Sequence, residues 1–78
     1  MVRLVLPVIE PQYNEYDDFV GNKEVTMIFY EISAIFAHEV EPEWSILISA
    51  KVDYVIPIPI DRLDRMITNA QSIMLMAN

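Results

Sequence analysis

Apolar residues along this chain come first in short β-branched runs and then, near the end, at three- and four-residue steps. "VRLVLPVI" (2–9) is the first such run and predicts a strand. Pro7 has no N–H to donate, so this strand is expected at a sheet edge or to end early. "EPQYNEYDD" (10–18) breaks the pattern with acids, amides and two tyrosines, and reads as a loop. Gly21-Asn22 follows between apolar flanks. Glycine at the first central position suits a type II′ turn, which predicts a hairpin over 16–31.

"EVTMIFYEISAIFAHEV" is ambiguous at this level. Ile28, Ile32, Ile35 and Phe36 recur at helical spacing, but valine, isoleucine and aromatics favour strand. The reading adopted is two strands, 24–30 and 34–40, with a bend at 31–33; a helix over 26–37 is the alternative. "EPE" (41–43) forms a turn, in which Pro42 presets φ at the second position. "WSILIS" (44–49) and "DYVIPIP" (53–59) are further strands. Pro57 and Pro59 point to the same side of the second and cannot donate, so its end is expected at an edge.

The last segment changes period. Leu63, Met66, Ile67, Ala70, Ile73, Met74 and Ala77 line one face of a helix. Asp61 and Asp64 are expected in its first turn, where free N–H groups favour carboxylates. Met74, Leu75 and Met76 extend the apolar surface at the far end, and methionine adapts to an irregular partner. This end is expected to pack either on the sheet or on a second subunit, for which these three residues are the candidate contact. No linker or repeat interrupts the chain. The expected architecture is a single α+β domain over 1–78: a small, mostly antiparallel sheet, a meander of four or five strands, with one C-terminal amphipathic helix.

Composition adds constraints. The chain has 78 residues, no cysteine and 54% hydrophobic residues. So small a domain has little interior, so part of that apolar content must remain outside, where it favours a dimer or a partner. The missing thiols rule out disulfides, thiolate zinc sites and cysteine nucleophiles, and fit a reducing compartment. No apolar run approaches the ~20 residues of a membrane span, and "LVLPVI" is too interrupted for a signal peptide. The expectation is a soluble cytoplasmic protein that does not engage membranes. Twelve acids against five bases give a net charge of −7. That balance disfavours direct contact with nucleic acid; it serves ordinary solubility or, on the sharper reading, forms an acidic face that docks on a basic protein partner.

Candidate chemistry is sparse. One glycine in the chain rules out the usual phosphate-cradling loop. The hydroxyls have no elbow or triad setting, and His38 is the only histidine. In "AHEVEPEWS" the metal-binding atoms are present. In a strand, however, His38 and Val40 would face one way and Glu39 and Glu41 the other. The expectation is therefore an acidic turn, with a metal site at His38 as an alternative, no cofactor and no enzymatic activity. Two segments carry candidate partner-binding residues: Tyr13, Glu15, Tyr16, Asp17 and Asp18 in the first loop, and Glu39, Glu41, Glu43 and Trp44 in the second. Both combine aromatic area with negative charge, and tryptophan is enriched at binding hot spots.

With the elements placed, residues 30–67 resemble the FlbD family of small flagellum-associated proteins. Ile32 and Ile35, "EVEPE", "SILIS", "DYVIP" and "DRLDRMI" are the counterparts of its strand, acidic turn, hairpin and acidic helix. The chain departs from the family at "SAKVD", where the hairpin turn is usually Asn-Gly-like, and residues 10–27 look like an addition. The resemblance implies a β-meander with a terminal helix and assigns no functional residue. The expected function is a non-enzymatic acidic binding module that occludes a basic surface. Size and charge suit an inhibitor of the nucleic-acid-mimic type, such as a phage or other mobile element encodes. The competing expectation is a self-assembling accessory protein that uses the helix end and a sheet edge.

Overall fold

In a computed structural model, the backbone is described for residues 3–76 and side chains for residues 3–71. Strands β1 (Leu4–Tyr13), β2 (Phe19–Phe29), β3 (Ala34–Ala37), β4 (Ser45–Ser49) and β5 (Val52–Ile56) precede helix α1 (Ile60–Met76). All pairings are antiparallel, in the spatial order β2-β1-β5-β4-β3. This is the expected α+β class. The ambiguous segment forms strands rather than the helix over 26–37. The strand order is not a simple meander, because β1 inserts between β2 and β5.

That insertion corrects two edge assignments. β1 is internal despite Pro7, and β5 is the central strand despite the prolines that follow it. The pairing explains how this is tolerated. β1 and β5 share one bridge, Ile9 opposite Val55. Two residues further on, the same register would set Pro7 against Pro57, and neither has an N–H to give. The prolines thus limit this ladder instead of marking an edge. β2 and β3 are the real edges.

The predicted turn at Gly21-Asn22 is also corrected. Both residues lie within β2, paired with Gln12 and Pro11. The hairpin turns at residues 14–18 instead. Gln12 pairs with Gly21 and Tyr13 with Phe19, so Val20 is an extra residue in β2. Gly21 sits beside this bulge at φ 139°, a backbone conformation that a side chain would oppose.

Directly opposed residues share a face of the sheet, which fixes where the core lies. Leu6, Val8, Phe29, Leu47 and Ile56 are buried on one face, and Ile58 and Leu63 close over them. Met66 and Ile67 of α1 pack against this cluster, as the helical spacing requires. Phe29 and Tyr54 meet edge to face at 5.1 Å. Buried Ser45 donates from Oγ to the Ile58 carbonyl at 2.6 Å, tying the link after β5 to β4. The helix begins with Leu63 N–H donating to Pro59 O at 2.9 Å. Asp61 lies in its first turn, whereas Asp64 falls just beyond it. Met74, Leu75 and Met76, the candidate subunit contact, lie outside the residues whose side chains are described.

Between β4 and β5, Ala50 and Lys51 form a two-residue loop with Ser49 opposite Val52. Both have positive φ, 50° and 65°. This is the signature of a type I′ turn, made here without the usual asparagine or glycine. The radius of gyration is 14.0 Å, against about 11.5 Å for a compact chain of this length. Residues 10–24 of the β1–β2 hairpin are almost all exposed, and beyond Ile9 β1 makes no further bridge to β5.

Candidate functional site

The β1–β2 hairpin ends in the loop that combines tyrosines with acids. Its conformation is organised by one side chain. Asn14 Oδ1 accepts from the N–H groups of Tyr16 at 2.8 Å and Asp18 at 3.0 Å. The Asn14 backbone completes the turn: its N–H donates to Asp18 O, and its carbonyl accepts from Asp17 N–H, both at 3.0 Å. Asparagine suits this position because its short amide imitates a turn of backbone. Asp17 takes φ 62°, a left-handed conformation that aspartate tolerates better than most residues.

This turn presents a specific surface. Tyr13 and Phe19 stack edge to face across the strands, with ring centroids 6.1 Å apart. Tyr16 is 76% exposed, and Phe19 and Val20 are exposed beside it. Glu15, Asp17 and Asp18 are exposed on the same turn. The loop expected over 10–18 is shorter than that, since residues 10–13 belong to β1; what remains, with Tyr13 and Phe19 at its base, is a shaped aromatic and acidic tip. Phe19 and Val20 belong to it but were not among the residues singled out. In sequence they read as the apolar flank of the expected Gly21-Asn22 turn, whereas the 14–18 turn and the bulge set them, exposed, at the tip.

The second candidate segment is built differently. β3 ends at Ala37, so strand alternation does not govern His38 to Glu41. His38 Nδ1 instead accepts from the N–H groups of Val40 at 3.2 Å and Glu41 at 3.0 Å. Backbone bonds close the loop, from His38 N–H to Trp44 O and from Trp44 N–H to Glu41 O. Glu41 accepts from Glu43 N–H through Oε1 at 3.2 Å. The His38 and Trp44 rings meet edge to face at 5.6 Å. Histidine and tryptophan thus hold the loop together, with Trp44 half-buried, while Glu39 and Glu43 are exposed. The Nδ1 lone pair, which a metal at His38 would need from that side, is already engaged. Among the described residues, no group of three or more histidine and carboxylate side chains is placed to hold a metal ion.

The fold does not bring the two segments together. β1 runs towards the hairpin tip, and the start of β5 points the same way. The loop before β4 lies at the other end, where Ser45 pairs with Ile56. Glu39, Glu41 and Glu43 therefore do not extend the acidic tip.

A scan of family models and searches of curated proteins and of solved structures each returned no match. Among the described residues, no helix is long and apolar enough to cross a membrane.

Proposed function

We propose that this chain is a non-enzymatic protein-binding module that engages a basic surface of its partner through the β1–β2 tip. The observation that carries this reading is the Asn14-centred turn, which holds exposed aromatic rings and carboxylates in one arrangement before any partner arrives. Preorganisation reduces the conformational entropy lost on binding. Tyrosine and phenylalanine supply apolar contact at the centre of such an interface. Glu15, Asp17 and Asp18 supply charge complementarity, which speeds encounter and selects against acidic surfaces. The net charge of −7 extends the same field over the molecule. Occlusion of a nucleic-acid-binding surface is the inhibitory form of this mechanism.

Affinity capture with the intact protein tests the reading. A basic protein should be retained by wild type, lost with Tyr16→Ala or with Asp17→Asn combined with Asp18→Asn, and released as salt increases. Retention that ignores salt, or that survives both sets of substitutions, would sink the proposal.

A further inference from the structure

The sheet face away from the helix holds a second, separate opportunity. Ile35, Leu47 and Tyr54 point to the core, so the alternate residues Phe36, Ile46, Ile48 and Asp53 point away from it. A groove of about 540 Å³ lies there, floored by Phe36, Ile46 and Ile48 and bordered by Glu39, Val40 and Asp53. This volume falls within the ~300–1,000 Å³ range of ligand clefts. Phe36 is exposed. Glu39 and Asp53 are exposed too, and both meet solvent at the groove. His38 also borders it, with its Nδ1 already committed to the loop.

An apolar floor beside carboxylates selects a ligand that is apolar along its length and cationic at its tip. Arginine meets both requirements. Its methylene stem can lie on isoleucine, its guanidinium plane can stack on the Phe36 ring, and its fork of N–H donors can serve a carboxylate. We infer that the groove receives an arginine side chain from an extended segment of the partner. A second copy of this chain is a poorer occupant, since it would bring another net charge of −7 against Asp53 and Glu39. The inference deepens the proposed binding of a basic protein and rests on that reading, but it concerns a different surface from the hairpin tip.

Amide-resolved NMR titration with the blocked tripeptide acetyl-Gly-Arg-Gly-amide tests this without the partner. Saturable shifts should be confined to residues 36–40, 46, 48 and 53, and the peptide with citrulline in place of arginine should produce none. Asp53→Asn should weaken binding about two- to five-fold, as expected for loss of one solvent-exposed ion pair. Phe36→Ala should weaken it several-fold. Both side chains are exposed, and the dispersion of each variant's own spectrum reports its folding. Equal response to citrulline, shifts spread over all acidic positions, or an unchanged curve for Asp53→Asn would overturn the inference. So would concentration-dependent broadening of the same amides without peptide, which would assign the groove to a second copy. Tyr16→Ala lies outside the groove and should leave the titration unchanged, so failure of the groove and failure of the tip are separable.

Discussion

The loop between β4 and β5 offers a quantitative test of how this chain folds. Ala50 and Lys51 both occupy the left-handed region, at φ 50° and 65°. For an L-residue this costs roughly 1–2 kcal/mol, because Cβ crowds the following carbonyl. Lys51→Gly removes that crowding and gives back about 0.5–1 kcal/mol through the greater freedom of glycine in the unfolded chain. The net expectation is a gain of about 0.5–1 kcal/mol. In a domain of this size that raises Tm by roughly 2–8 °C. Lys51→Ala is the control: it removes the ammonium but keeps Cβ and its strain. Thermal unfolding should be followed by circular dichroism at one fixed protein concentration, because self-association would make Tm depend on concentration. The reasoning fails if Lys51→Gly melts at or below Lys51→Ala. Ala50→Asn combined with Lys51→Gly should stabilise further, though adjacent residues are not expected to add independently.

Other substitutions probe the core and both loops. Ser45→Ala leaves the buried Ile58 carbonyl without its donor and should cost about 1–3 kcal/mol, read as a lower urea midpoint with an unchanged slope. His38→Ala frees the Val40 and Glu41 N–H groups and removes the ring packed on Trp44. Emission from Trp44, the only tryptophan, should shift to the red while tip-mediated partner binding persists; unchanged emission would contradict the role given to His38. Asn14→Ala should accelerate amide exchange at Tyr16 and Asp18 and weaken partner capture with little change in Tm. A large fall in Tm would show that the turn supports the core instead of shaping the tip.

Periodicity alone located the helix, and β-branched composition correctly favoured strands at 24–30 and 34–40 over a helix, although the second ends at Ala37. Leu63, Met66 and Ile67 repeat at helical steps and do pack on the core. Pro7, Pro57 and Gly21 misled for a common reason. Each has a strong local preference that surrounding strands accommodate: the prolines by sharing a sparse ladder, the glycine by relieving a bulge. The turn at 14–18 was concealed because Asn14 organises it through its side chain rather than through a glycine dipeptide.

The candidate sites divide in the same way. Exposed tyrosines and carboxylates near residue 15 were legible, since a polar, acidic break between apolar runs has nowhere to be buried. Their union with Phe19 and Val20 was not, because it depends on the β1–β2 register and on the bulge at Val20. The sequence by itself determined the class of fold, one helix face and the sign of the surface, all consequences of local periodicity and composition. Tertiary structure decided which strands are edges, which end of the sheet each acidic loop occupies, and that Phe36, Ile46, Ile48 and Asp53 meet in one groove. Those relations join residues distant along the chain through strand pairing, and no local preference encodes them.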